Sequence, residues 1–373
     1  MASIKKYASA RAKGGYAWRV QYRGPDGKSH TKQGFRTKSE AERWAEKNAV
    51  SAAEGTWIDP AHGKATVGEL GQKWLGMQTH LKPSTRKLAE STWEVHVRPR
   101  WEAVKAQAIL PSDVQQWLTE IKGSATTVRR AHAQLAQILD MAVADRMMLT
   151  NPARGVTLPR RNAARRVYLT AEQLGALAAA CSKHGELVLL LGTVGLRWGE
   201  AIGLQVGDLD FLRHRATIKR NAVWVGKDLH IGTPKTHEAR TVMVPRAVLD
   251  AVEPLTQGKA KGDWVWSTPE GSPLPKPGHG SWLHGAVERV RKADADFPVI
   301  TPHGLRHVAA GLMVSSGANV KIVQRQLGHA SAAMTLDTYA DLFDEDLDGL
   351  RMAMDEALSG VSWDCRGIAY GAG

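Results

Sequence analysis

Cysteine is nearly absent: among 373 residues only Cys181 and Cys365 occur, far apart and without a second pair. That excludes a disulfide framework and a thiolate metal cage, and it fits a reducing compartment. Long apolar runs are missing as well. No stretch approaches the roughly 20 residues that a membrane-spanning helix needs. The opening MASIKKYASARAKGG has no apolar core behind its charges, so a soluble, unexported protein of the cytoplasm is expected. The histidines form no HExxH arrangement, which argues against a metal hydrolase. Neither repeats nor low-complexity tracts stand out. Acidic charge is the last deficit: 37 Asp and Glu face 50 Lys and Arg, a formal net charge of +13. Such a field attracts polyanions, most commonly nucleic acid and sometimes anionic membrane surfaces.

What remains is ordinary globular material, 43% hydrophobic and 23% charged, in a chain long enough for two or three folding units. Residues 1–62 begin as a basic, Gly-flanked tail. Tyr16, Trp18, Val20 and Tyr22 then alternate with Arg19 and Arg23 as in a half-buried strand. Gly24-Pro25-Asp26-Gly27 supplies a turn, Lys28 to Phe35 reads as the returning strand, and Thr37 to Glu40 has the spacing that caps a helix over Ala41 to Glu54. A basic β-ribbon of this kind fits the DNA major groove, and a solvated accessory face explains the same residues equally well. Residues 55–65 read as a linker.

Residues 63–162 are helical in pattern, with segments near Val67–Thr79, Ser84–Val97, Ser112–Ile121 and Thr126–Met148, punctuated by Pro83, Pro111 and Pro152. Lys82, Arg86, Lys87, Arg98, Arg100, Lys105, Arg129 and Arg130 are spread among them, as suits helices laid along a phosphate backbone. The stretch ARGVTLPRRNAARRV (153–167) reads as an extended basic connector. Beyond it the pattern is mixed. Helices are expected from Thr170, over Glu186 to Val194 and over Ala201 to Val206. Strands are expected over Ala216–Arg220, Val223–Val225 and Arg240–Val244, followed by mainly helical sequence.

Five short motifs carry chemical interest. In TVGLRWGE (193–200), Arg197 stands directly behind an apolar helix, where its charge needs an anion, either Glu200 or a bound phosphate. Lys235 sits in IGTPKTHEAR (231–240), at the expected tip of a hairpin. In TPHGLRH (301–307), His303 and Arg306 share one face near a helix start, a place that welcomes an anion. His329 in QLGHAS (326–331) marks a junction between two helices, and Tyr339 in LDTYA (336–340) lies in a short helix beyond it. Singly, each has a bland explanation: an internal ion pair, a solvated lysine, a capping histidine, a packed aromatic.

Taken in order and spacing, the set resembles the tyrosine recombinase family, phage-type integrases especially, over roughly residues 168–342. The modules before it resemble the family's arm-site and core-site DNA-binding domains more loosely. The resemblance implies a multidomain α+β fold. It comprises a small N-terminal β-sheet plus helix module at 1–62, a helical core-binding domain with basic linker at 63–162, a mixed, mainly α catalytic domain at 163–345 and a C-terminal tail at 346–373. It further implies a site-specific recombinase that cleaves and rejoins duplex DNA through a covalent 3′-phosphotyrosine, integrating or excising mobile DNA. Tyr339 would be the nucleophile, Arg197 and Arg306 the phosphate clamp, His303 the base, Lys235 the acid for the leaving oxygen, and His329 a donor to a non-bridging oxygen. No metal or cofactor is required, since two guanidinium groups carry the charge.

The implied partners are double-stranded DNA attachment sites and a homotetramer on DNA, with room for a host DNA-bending protein and an excision factor. The implied place is the bacterial host cytoplasm, at the nucleoid when bound. Two departures stand out: Gly304 where many relatives carry an acidic residue, and Val308 where a polar one is common. A catalytically silent DNA-binding regulator of the same fold would be expected to have lost one of the six polar residues, and all are present. A strand-relaxing topoisomerase fits less well with a separate basic module suited to bridging two DNA sites.

Overall fold

Thr37, Thr66, Ser124, Thr170 and Asn319 each stand just before a helix, and each side chain accepts a hydrogen bond from the backbone N–H three residues on. Such caps satisfy donors that the first helical turn leaves open, and they fix where helices begin. The computed structural model describes all residues except 1, 11, 13, 26, 56, 59–63, 162–165, 235–237, 344–346 and 360–373. The chain divides into two compact units, Met1–Ala163 and Ala164–Gly373.

In the first unit, strands β1 (Ser3–Ala8), β2 (Tyr16–Arg23) and β3 (Ser29–Phe35) form an antiparallel sheet in that order, followed by helix α1 (Lys38–Ala53). Val20, Tyr22, Phe35, Ala41 and Trp57 make its core. The opening stretch, expected as a tail, is instead the edge strand β1, with Ile4 opposite Val20 and Lys5 opposite Arg19. Lysines on an edge deter further pairing, and they also blur the apolar alternation by which a strand is recognised.

Next come α2 (Val67–Met77), α3 (Pro83–Thr92), α4 (Arg98–Trp101), α5 (Pro111–Glu120) and α6 (Ala125–Ala144). Trp93, Trp101, Trp117, Leu135 and Leu139 are among their buried residues. Where an uninterrupted helix is expected, a π-helical turn at Trp93–Val97 joins α3 to α4. Residues spaced by four drift forward around an α-helix with 3.6 residues per turn, and the wider turn takes up that drift. Trp93, Val97 and Trp101 all end up buried.

The second unit holds α7 (Ala171–Ala179), α8 (Gly185–Val194) and α9 (Trp198–Ile202), then β4 (Leu209–Asp210), β5 (Arg215–Ile218), β6 (Asn221–Val225), β7 (Asp228–Gly232) and β8 (Arg240–Met243). It continues through α10 (Arg246–Val252), α11 (Trp282–Ala293), α12 (Gly304–Ser315), α13 (Val320–Leu327), α14 (Ala332–Phe343) and α15 (Leu347–Leu358). One antiparallel sheet runs β4-β5-β8, and β6 pairs with β7. Helix α8 lies deep: Leu187, Val188, Leu190, Leu191 and Val194 are buried in one cluster with Leu305 and Val308 of α12. Each such side chain contributes about 1.5–3 kcal/mol on leaving water, so the α8–α12 pair is the mechanical base on which the site stands. The whole chain is a multidomain α+β protein with a mixed, mainly helical C-terminal unit. No helix among the described residues is long and apolar enough to cross a membrane.

Candidate active site

Two glycines in the left-handed region bring the site together. Gly195 ends α8 with φ +74°, and a Cβ there would sit 2.4 Å from Leu327 Cδ2 and 3.2 Å from Ala309 Cβ. Only glycine lets the end of α8 meet α12 and α13 at that range. Gly328 ends α13 with φ +67°, and a Cβ on it would lie 2.7 Å from Cζ and Nε of Arg240.

Arg197 follows Gly195 as the N-cap of α9. Its Nη1 donates to Oε1 of Glu200 at 2.8 Å, its backbone N–H donates to Oε2 at 3.0 Å, and its Nη2 donates to Gly328 O at 3.3 Å. Arg240, at the start of β8, grips the same carboxylate from the other side, with Nη1 to Oε1 at 3.1 Å and Nη2 to Oε2 at 2.7 Å. Burial pushes the Glu200 carboxyl up, but the hydrogen bond and charge of Arg240, then the backbone N–H and charge of Arg197, hold it below the ordinary carboxylate value. Of the two partners foreseen for Arg197, Glu200 is present, and a quarter of the Arg197 side chain (25%) stays exposed.

Arg306, in the first turn of α12, is only 3% exposed. Its Nη1 donates to Gly195 O at 2.6 Å, while its Nη2 is buried with no partner among the described residues. The Nε of Arg240 is in the same condition. Burial, and then the positive charge of Arg197, push the Arg306 guanidinium down to about 10, with Glu200 and Tyr339 acting the other way. Three guanidinium groups therefore gather around one carboxylate that bonds two of them, Arg197 and Arg240, and both Arg306 and Arg240 keep an open N–H inside the protein. A buried surplus of this kind is what an anion would neutralise.

Tyr339 interrupts α14 with φ −131° and ψ 23°. Its ring is 1% exposed and packs with Ala309, Ala310, Met313, Val323 and Leu327. The hydroxyl lies 3.0 Å from Nδ1 of His307. His329, released by Gly328 between α13 and α14, lays its ring parallel to that of Tyr339, with centroids 6.1 Å apart and planes at 10°. Its Nδ1 lies 2.9 Å from Oγ1 of the buried Thr335. Burial, and then Arg306, Arg197, His307 and Arg240, push His329 down to about 4, so the ring is neutral at physiological pH. A Thr335 hydroxyl donating to Nδ1 leaves the ring proton on Nε2.

Of the candidate residues, Arg197, Arg306, His329 and Tyr339 are thus brought together. His303, just before α12, is exposed at the outer side, with its ring 5.2 Å from that of His307 and nearly perpendicular to it, at 80°. Lys235 lies outside the described residues, between the end of β7 and the start of β8. Sequence reasoning passed over Arg240, His307, Thr335 and Gln326. Gln326 ties α13 to β8 through both bonds to the Met243 backbone, at 3.0 Å and 2.7 Å. The available signals were slight: Arg240 closes the TPKTHEAR motif, and His307 stands one helical turn beyond His303.

In the first unit, Arg86 pairs with Glu90, and Arg98 pairs with both Glu94 and Glu102 on the same helical stretch. Lys82, Lys87, Arg100, Lys105 and Arg130 are exposed. Among the described residues no group of three or more His, Cys, Asp or Glu is placed to hold a metal ion.

A mixed, mainly α unit that gathers guanidinium groups and imidazoles around a tyrosine belongs to the class of tyrosine-dependent DNA strand transferases. Residues 167–346 match the phage integrase family, and this region is of the tyrosine recombinase, phage-integrase type, that of a site-specific DNA recombinase. It is similar to the phiRv2 prophage integrase of Mycobacterium tuberculosis, 27% identical over 346 residues that cover 89% of this chain and 91% of that protein. It is also similar to the integrase of Mycobacterium phage L5, 26% identical over 325 residues covering 82% and 85%. Among solved structures, the Tn1549 transposon integrase in complex with a circular intermediate DNA matches with a TM-score of 0.66 at 21% identity, covering 74% of this chain and 95% of that one.

Proposed function

We propose that Tyr339 attacks a backbone phosphate of the recombinase's DNA site, that a covalent 3′-phosphotyrosine results, and that the strand is rejoined by reversal of the same step. The observation that carries this reading is Arg306: a guanidinium group 3% exposed, with an unpartnered Nη2, close enough to Tyr339 for the two charges to interact. In the transition state negative charge spreads over the equatorial phosphate oxygens. Arg306 from inside and the exposed part of Arg197 from outside are two planar donors matched to those oxygens. The neutral His329 donates from Nε2 to a non-bridging oxygen.

The phenolic O–H breaks, with His303 on the path of the proton, and the Oη–P bond forms. The bond from phosphorus to the 5′ oxygen breaks, and that oxygen takes its proton from Lys235. Because phosphotyrosine retains the energy of the original linkage, rejoining needs neither ATP nor metal. Tyr339 is 1% exposed and already breaks the regularity of α14, so attack is coupled to an outward shift of the helix at that residue.

The remaining assignments follow the same reading: residues 1–62 as the arm-site module, 63–162 as the core-site domain, 163–345 as the catalytic domain and 346–373 as a tail. The net charge of +13 supports DNA contact along more than one of them. The active species is a homotetramer on attachment-site DNA that integrates or excises mobile DNA at the host nucleoid, with a host bending protein and an excision factor as accessory partners. The test mixes purified protein with nicked site DNA and looks for an adduct that survives denaturant. Wild type is expected to form it and Tyr339→Phe to form none; an adduct with Tyr339→Phe overturns the assignment.

A further inference from the structure

We propose that His307, the second histidine of the TPHGLRH motif, is the group that receives the phenolic proton of Tyr339, and that His303 passes it on to solvent. The proposal rests on Tyr339 being the nucleophile and goes one step further into the same site. Its basis is geometric. His307 Nδ1 lies 3.0 Å from Tyr339 Oη, within the reach a general base must have. His303 lies farther out: its ring centroid is 5.2 Å from that of His307, which in turn is 5.7 Å from that of Tyr339. The three rings make a path from a buried oxygen, through the half-buried His307, to the exposed His303.

Helix geometry explains the order. His303 and His307 are four residues apart, so they stack on one face of the start of α12, and that face meets Tyr339 across α14. Arg306, their neighbour in the same turn, points instead to Gly195 O. Among the described residues, the groups with charge or titratable protons near His307 include His303 from the turn before α12, Tyr339 from α14 and His329 from the α13–α14 junction. His329 is held neutral at physiological pH, stacks on the Tyr339 ring and is engaged with Thr335 through Nδ1, whereas His307 places a ring nitrogen within hydrogen-bond reach of the Tyr339 hydroxyl.

The step balances. The Tyr339 O–H bond breaks and its proton joins Nδ1 of neutral His307, as Oη bonds to phosphorus and the 5′ oxygen leaves. On rejoining, His307 returns the proton to the departing phenolate. His307 thus acts as base in cleavage and as acid in rejoining.

The experiment is single-turnover cleavage of nicked site DNA across pH 5.5–9, by wild type, His307→Ala, His307→Gln and His303→Ala, with DNA affinity measured alongside. Wild type should show an acid limb in its cleavage rate. His307→Ala should lose that limb and slow about a hundredfold or more, the usual contribution of a general base, at unchanged affinity, and added imidazole should restore part of the rate. His307→Gln preserves bulk and a hydrogen-bond acceptor but cannot take a proton, so it should match Ala in rate while keeping the wild-type melting temperature. That separates chemistry from folding. His303→Ala should slow cleavage less than His307→Ala and keep the limb. The proposal is overturned if His303→Ala costs as much as or more than His307→Ala, or if either His307 variant retains the acid limb. A wild-type protein that forms no adduct at all would instead sink the reading of Tyr339 as nucleophile.

Discussion

Glu200 shows how a few buried side chains can hold a large fraction of a site's free energy. Its carboxylate, with a side chain 0% exposed, is bound by Arg197 and Arg240, and removing one partner of a buried pair typically costs about 3–5 kcal/mol. Glu200→Gln should therefore lower the unfolding free energy by that order and weaken cleavage through misplaced Arg197, as equilibrium urea unfolding and adduct assays would record. Arg306→Lys keeps a charge but loses the planar fork, and cleavage should fall by about a thousandfold or more with site affinity nearly retained. Equal cleavage by the two proteins would contradict the clamp.

The pH dependence has a definite sign. Glu200 titrates below its ordinary range in the folded state, so its stabilisation is present above that range and is lost as pH falls. His329 is pushed down to about 4, while in the unfolded chain it binds a proton near its ordinary value of about 6.5. Between those values the unfolded state holds more protons, so stability rises with pH and falls on acidification. His329→Gln should flatten urea midpoints between pH 6.5 and 4, and an unchanged slope would count against its burial as a neutral ring.

At the level of elements, the junctions matter more than the helices they join. Gly328→Ala forces a left-handed conformation on an L residue, at about 1–2 kcal/mol, and drives a Cβ into Arg240. Gly317 is a useful contrast, since its φ of +80° is similar but no atom lies within 4 Å of a Cβ there. Both alanine variants should lose thermal stability, and only Gly328→Ala should also lose cleavage. Equal cleavage by the two would mean that Arg240 needs no fixed seat.

The helices opened by Thr37 and Thr170, and the prolines between helices, were legible in the sequence, because their signals are local. β1 was hidden by Lys5 and Lys6, and the π turn at Trp93 by a pattern that reads as regular helix. Arg197, Arg306, His329 and Tyr339 were legible through their motifs. Arg240 and His307 were not, because what distinguishes them is contact with Glu200, 40 residues away, and with Tyr339, 32 residues away. Such closeness belongs to packing and leaves no local mark in composition or period.

Across the whole molecule, charge is the property that acts at a distance. A net +13 displaces counterions from DNA, and a protein that neutralises several phosphates loses about 10³–10⁵ in affinity between 50 and 200 mM salt. Fluorescence anisotropy on site DNA should show a steep linear fall of log affinity with log salt; a flat response would contradict extended backbone contact. Deleting residues 1–62 should abolish binding to a distant arm site while leaving cleavage of nicked core-site DNA measurable.

The most direct measurement uses the covalent intermediate. Trypsin cuts after Arg325 and Arg351, and the peptide between them, Gln326–Arg351, contains Tyr339 as its one tyrosine. Mass spectrometry of the nuclease-trimmed, trypsin-digested adduct should find a nucleotide phosphate on that peptide, at Tyr339. A nucleotide carried by any other residue would contradict the account.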